Sequence, residues 1–228
     1  IKRTPLADFR QQGRGGVGAK ASAARDEDFI EYVHQANMHS TMMFFTEQGR
    51  LYWTKVYELP EGNRQSKGRA LQNMINIQKG DKVCAFIHVK NLNDMEYVQN
   101  HYLIFATKDG LMKKTTLESY SRPRANGIIA LGLREGDRLI RVTLTDGNSQ
   151  MLVASYNGKV VRFPEDTVRP MGRTATGVRA IKLDEDGQDR VIGMICVEEG
   201  SKDSVLVISE KGFGKRTDLD DENGEPIY

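Results

Sequence analysis

The residues best suited to chemistry come early in the chain. The stretch QQGRGGVG, residues 11–18, carries the spacing G-x-G-x-x-G at Gly13, Gly15 and Gly18. Glycines let a backbone approach a phosphate closely. This spacing cradles a dinucleotide when a strand precedes it, a helix follows it and an acid lies about 20 residues on. The next segment, KASAARDEDFIEYVHQA (20–36), reads locally as helix and contains Glu31. Against the nucleotide reading, PLADFRQQ before the loop is a poor parallel strand, and nothing downstream alternates β with α. A P-loop fails too, because Gly18 is followed by Ala19-Lys20 and no Gly-Lys-Ser/Thr occurs. Elsewhere, His34, His39, His88 and His101 are scattered, and no His or Cys pair has zinc-ligand spacing. The eight tyrosines form no catalytic constellation. Cys84 in VCAFI and Cys196 in GMICV lie in apolar runs. That placement fits buried thiols in a reducing compartment better than a disulfide framework, with a Cys84–Cys196 bridge as the lesser alternative.

The elements that must hold the glycine loop are repeated. MMFFTEQG (42–49), LIFATKDG (103–110), MLVASYNG (151–158) and VLVISEKG (205–212) each read as a strand running into a tight turn that ends on glycine. A second strand follows each turn, and IKRTPLADF at the chain's opening matches that second strand. Next comes a basic, glycine-containing connector leading into a β-prone run: SKGRALQNMINI, ANGIIALGL and ATGVRAIKL, with Gly68, Gly127 and Gly177 in phase. KVCAFIHV, RLIRVTL and RVIGMICV complete the units, and NLNDMEYVQNH (91–101) is a polar insertion. The units run approximately 1–49, 50–110, 111–158 and 159–212, with a fifth starting at 213. Four short strands in roughly 40–50 residues is the period of a propeller-type blade. A single all-β domain over 1–228 is therefore expected, a sandwich being set aside because strand ends, glycines and cations all repeat in register. By that register, 20–36 should form strand, turn and strand despite its helical composition. The loop QQGRGGVG is then the most glycine-rich of the connectors.

Net charge is only +2, but it is strongly segregated. Residues 1–25 carry +5, 50–69 carry +3, 111–124 carry +3 and 159–182 carry +4, which leaves −13 for the rest. All four basic segments fall at one phase of the repeat, so radial stacking would join them into a belt. A curved cationic belt suits duplex DNA held through its phosphates without reading base edges. An array of propeller blades serving protein interaction, and a nucleotide-binding enzyme built on the glycine loop, are the competing classes.

IKRTPLADFR followed by QGRGGVG closely resembles the opening of the C-terminal domain of the DNA gyrase A protein. The gyrase A box typically runs Gln, basic, Arg, Gly, Gly, basic, Gly. Gln12, Arg14, Gly15, Gly16 and Gly18 match it, whereas Gly13 and Val17 stand where two cations are usual. GLMKKTTLESYSR, GKVVRFPEDTVRPMGRTATGVRAIKL and GFGKRTDL resemble later blades of that domain. The related topoisomerase IV protein, usually without an intact box, is the alternative within the family. The resemblance implies a β-pinwheel, six-bladed and propeller-like in the family, with four-stranded blades, of which this chain holds four repeats and the start of a fifth. It implies a non-catalytic domain that wraps DNA and so enables ATP-dependent negative supercoiling. The cleaving tyrosine, ATP and Mg2+ would belong elsewhere in the enzyme, and no cofactor is expected here. Expected partners are duplex DNA and, in an A2B2 complex, the remainder of the gyrase A protein and the gyrase B protein. The expected location is the bacterial cytoplasm, associated with the chromosome. No apolar run approaches the roughly 20 residues that cross a bilayer. The chain's opening at Ile1 and its end at Tyr228 read as those of a fragment. The DNA contacts expected are Gln12, Arg14, Gly15, Gly16 and Gly18 with Arg10 and Lys20 beside them. Lys55, Lys67, Arg69, Lys113, Lys114, Arg122, Arg124, Arg162, Arg173 and Arg179 are expected to extend them around the rim.

Overall fold

The computed structural model describes residues 1–9, 11, 13–18, 22–23, 29–185 and 187–228. Its elements are β1 (Thr41–Thr46), β2 (Arg50–Lys55), β3 (Val83–Val89), helix α1 (Met95–Asn100), β4 (Tyr102–Thr107), β5 (Leu111–Thr116), β6 (Ile128–Ile129), β7 (Leu139–Thr145), β8 (Ser149–Ser155), β9 (Val160–Pro164), β10 (Val178–Arg179), β11 (Val191–Glu198), β12 (Ser204–Ile208) and β13 (Gly214–Asp218). The repeated motif becomes the hairpins β1–β2, β4–β5, β8–β9 and β12–β13, all antiparallel. Each turn ends on a glycine with positive φ: 73° at Gly49, 85° at Gly110, 87° at Gly158 and 82° at Gly212. That backbone region strains residues with a Cβ, which is why glycine recurs there.

The sheets exchange strands. Their orders are β3-β1-β2-β6, β10-β5-β4-β7, β11-β8-β9 and β12-β13. β6 follows β5 in sequence yet pairs with β2, Leu51 opposite Ile128, and β10 likewise pairs with β5, Met112 opposite Val178. Residues 61–69 meet the chain's opening in the same manner, through an Arg3–Glu61 bridge and the Arg69 N–H donating to the Ile1 carbonyl at 2.9 Å. Each four-stranded sheet therefore draws on three consecutive units. The connector glycines sit where the exchanged segment presses on its host. A Cβ on Gly127 would lie 2.7 Å from the Leu51 carbonyl oxygen, one on Gly68 would lie 2.8 Å from that of Ile1, and one on Gly177 would collide with that of Met112.

The apolar runs of β1, β4 and β8 are continuous rather than alternating because these strands are covered on both faces, whereas β12 and β13 stay largely exposed. Met43 and Phe45 of β1 join Leu103 and Phe105 of β4 in one cluster, while Ile104 and Ala106 face Met151, Val153 and Met194 in the next. The β3 strand packs on β7, and β7 on β11, so these strands form the inner edges of the sheets. The exchanged strands β6 and β10 occupy the opposite, outer edges.

Two expectations are corrected. Residues 29–37 carry neither helix nor strand, and part of the 20–36 segment lies outside the described residues. The equivalent strands β3, β7 and β11 each pair with the first strand of a hairpin, whereas among the described residues no strand pairs with 29–37. Extended backbone without a neighbour forms no ladder. The β-prone run after Gly68 also makes no strand. It forms a 3-10 turn, Leu71–Asn73, whose flanking Leu71, Met74 and Ile77 cover Met42 and Phe44. The polar insertion holds α1, capped by the Asp94 carboxylate accepting from the Tyr97 N–H at 3.1 Å, with Val98 buried.

Candidate nucleic-acid interface

Three of the four glycine connectors begin with a common turn. In the glycine loop the Gly16 N–H donates to the Gly13 carbonyl at 3.1 Å, with Arg14 second in the turn and Gly15 third at φ 83°. In the next connector the Ser66 N–H donates to Asn63 at 3.2 Å, with Arg64 second. In the fourth the Ala175 N–H donates to Gly172 at 3.1 Å, with Arg173 second. Each turn is followed, two residues on, by a positive-φ glycine: Gly18, Gly68 or Gly177. The third connector departs from this pattern, closing one turn from Arg124 to Gly127 at 2.9 Å. A tight turn brings backbone N–H groups and one guanidinium to a single spot, which is the donor set that phosphate oxygens accept from.

Lysines support two of these turns from within. Lys2 Nζ donates to the carbonyls of Asn63 and Ser66 at 2.7 and 2.8 Å. Lys113 Nζ donates to the carbonyls of Arg173 and Ala130 at 2.5 and 2.6 Å, and to the Tyr120 hydroxyl at 3.3 Å. An ammonium bound beneath a turn occupies carbonyls that would otherwise repel an anion. Burial and the neighbouring Arg173 guanidinium push the Lys113 ammonium down to about 7.

The expected contact residues divide. Arg14, Gly15, Gly16, Gly18, Lys67, Arg69, Arg122, Arg124 and Arg179 are exposed, and Arg173 is half-buried. Arg10, Gln12 and Lys20 lie outside the described residues. Lys113 and Lys114 do not belong to an exposed rim, being 0 and 4 % exposed. They lie on β5, whose faces are enclosed by adjacent blades, and their ammoniums lie over the Phe105 and Tyr102 rings. Lys114 pairs with buried Glu165 at 2.9 Å. Arg162 is tied to the Leu219 carbonyl and the Asp220 carboxylate at 2.8 and 2.7 Å. Lys55 is turned onto its own hairpin, donating to the Thr41 hydroxyl at 3.0 Å and the His39 carbonyl at 3.2 Å. Arg64 was absent from the expected set. Its signal was the register of NRQSKG with GRGGVG and GRTATG, obscured because Asn and Ser replace glycine and alanine. Both cysteines are free thiols, with burial pushing each up to about 12. Among the described residues no helix is long and apolar enough to cross a membrane.

Comparison with known proteins places this architecture. The family model described as "DNA gyrase C-terminal domain, beta-propeller" matches residues 1–37, 40–90, 101–146, 150–198 and 203–221. The DNA gyrase A protein of Salmonella typhimurium is 44% identical over 221 residues, and that of Staphylococcus aureus is 42% identical over the same length. These alignments cover 97% of this chain and 24% of each relative. Among solved structures, the C-terminal domain of DNA topoisomerase IV superposes with a TM-score of 0.77 at 26% identity, covering 96% of this chain and 64% of that one. A DNA gyrase A C-terminal domain shares the fold, with a TM-score of 0.70 at 22% identity and coverage of 96% and 68%. The matched segments, the exchanged strands and the glycine-turn register agree, and the chain belongs to the DNA gyrase C-terminal domain family of β-propellers.

Proposed function

We propose that this chain is a non-catalytic domain that wraps duplex DNA along the outer edges of its sheets. In the longer protein the wrap would enable ATP-dependent negative supercoiling by a DNA gyrase holoenzyme. The observation that carries the reading is the recurrence, in three of the four glycine connectors, of a tight turn with arginine in second place: Arg14, Arg64 and Arg173. Lys67, Arg69 and Arg179 follow these turns in the same connectors, Arg122 and Arg124 are exposed in the third connector, and Arg10, Gln12 and Lys20 accompany Arg14 by sequence. The contacts are to phosphate, so the wrap is independent of base sequence. The gyrase reading is preferred to topoisomerase IV because the gyrase A relatives are 42–44% identical. Strand cleavage, ATP and Mg2+ belong on this reading to other parts of an A2B2 assembly with the gyrase B protein, in the bacterial cytoplasm.

Titration with duplex DNA at several salt concentrations tests the reading. Each neutralised phosphate contributes a slope of about −0.9 in log K against log salt. A flat dependence, or no binding at low salt, would overturn it. In the assembled enzyme, replacing Arg14, Gly15 and Gly16 by alanine should lower supercoiling while relaxation and decatenation persist. Equal loss of all three activities would show that the loop has a different role.

A further inference from the structure

The chain's opening segment and the three hairpins β1–β2, β4–β5 and β8–β9 carry one device at one position. Four residues after the turn glycine of each hairpin, and at the matching place in the opening segment, two residues after the Ile1 carbonyl that faces Gly68, a side-chain donor reaches out of its own unit. It engages the turn that follows the second strand of the next hairpin. Arg3 Nε donates to the Leu59 carbonyl at 2.9 Å and its guanidinium pairs with Glu61 at 2.8 Å. Trp53, the same position on β2, donates its indole N–H to the Tyr120 carbonyl at 3.1 Å. Lys114 on β5 pairs with Glu165 at 2.9 Å, and Glu165 also accepts from the Thr145 hydroxyl at 2.7 Å. Arg162 on β9 donates to the Leu219 carbonyl and to Asp220. The residue type changes from arginine to tryptophan to lysine, while the bridge from one blade to the next persists. What recurs is thus a polar connection between blades, with three of the four donors drawn from residues that sequence alone would count as cations of the belt.

We propose that these four residues are positioning residues: each latches one blade to the next, and together they set the curvature of the cationic edge and so the bend imposed on DNA, without touching DNA. The proposal rests on the wrapping reading and adds to it the residues that hold the shape. It separates two quantities that the rim cations would move together. Cations that meet phosphate control affinity and its salt dependence. Latches control how far bound DNA is bent at a given affinity.

The test uses a nicked circular duplex closed by ligase with protein bound, and reads the linking difference per bound molecule beside affinity and salt slope. Trp53→Phe removes one latch while keeping an aromatic ring in place, and Arg162→Met removes another that is only partly buried. Each should bind within about threefold of the parent protein with the same salt slope, yet trap no more than about half its linking difference. Arg162→Lys, which restores a donor, should recover it. Val153→Ala, a core truncation within one blade, should lower stability and leave the linking difference unchanged. The proposal fails if both latch variants trap the parental linking difference, if they lose it only in step with affinity and slope, or if Val153→Ala loses it equally. A parent protein that binds without salt dependence and traps no linking difference would remove the wrap itself, and this proposal with it.

Discussion

Lys113 shows how much a single side chain depends on what is stacked above it. Its ammonium is enclosed, donates to two carbonyls and a hydroxyl, and is pushed down to about 7 by burial and by Arg173. An unfolded lysine titrates near 10.4. Between about pH 7 and 10 the unfolded chain therefore holds a proton that the folded chain has released, so this group makes stability rise with pH across that window. Below it both states are protonated and the cost of the buried charge is fully present. Urea unfolding at pH 7, 8, 9 and 10 should show this upward trend, and Lys113→Met should flatten it. Met removes the donor to Arg173 and Ala130, so the variant should also be less stable at pH 10. An unchanged pH trend would mean that the ammonium does not titrate as its surroundings imply. From the sequence, Lys113-Lys114 reads as an exposed cationic pair, because nothing in GLMKKTT states that both faces of the strand are covered.

Among the elements, strand exchange is the feature that the glycines report. Gly177 has φ 103°, and a Cβ there would strike the Met112 carbonyl. Gly15 has φ 83° with nothing within 4 Å of a Cβ. Gly177→Ala should thus cost backbone strain plus a displaced strand, about 3 kcal/mol or more, whereas Gly15→Ala should cost strain alone, about 1 kcal/mol. Thermal or urea unfolding of the two variants checks the ordering, and equal losses would mean that the exchanged contact contributes nothing. The hairpins were legible from the chain, because an apolar run ending on glycine needs only its own residues to form a turn. The pairing of β6 with β2, and of β10 with β5, was not legible, since those partners lie on different units. The same cause defeated the expectation for the described residues 29–36, which pair with no strand, while their equivalents β3, β7 and β11 each lie against the first strand of a hairpin. Asp220, one of the acids of DLDDENGE (218–225), is an acceptor for Arg162 from another unit.

At the scale of the whole molecule, curvature must withstand the stiffness of DNA. Bending a site of 20–30 base pairs by 40–90° costs roughly 1–6 kcal/mol. A charged hydrogen bond contributes about 1.5–3 kcal/mol and a neutral one about 0.5–1.5. Exposure discounts the Arg3–Glu61 pair, whose glutamate is 60% accessible. Even so, four latches are of the same order as the bending cost or larger, so a set of blades can impose its shape. The rim cations answer to a different measurement. Arg64→Ala should make the salt slope shallower by about 0.9, one phosphate contact, at unchanged fold stability. An unchanged slope would take Arg64 out of the interface.

The amino-acid sequence alone determined the period, the hairpins, the positions where φ must be positive and the phase at which cations gather. These follow from local sterics, from apolar runs long enough to be strands and from covalent order. Only the tertiary structure decided which strand completes which sheet and which cations face solvent. It also decided that Trp53, Lys114 and Arg162 share one task. Those outcomes depend on contacts between units tens of residues apart, where burial by a neighbour turns an expected phosphate ligand into a latch.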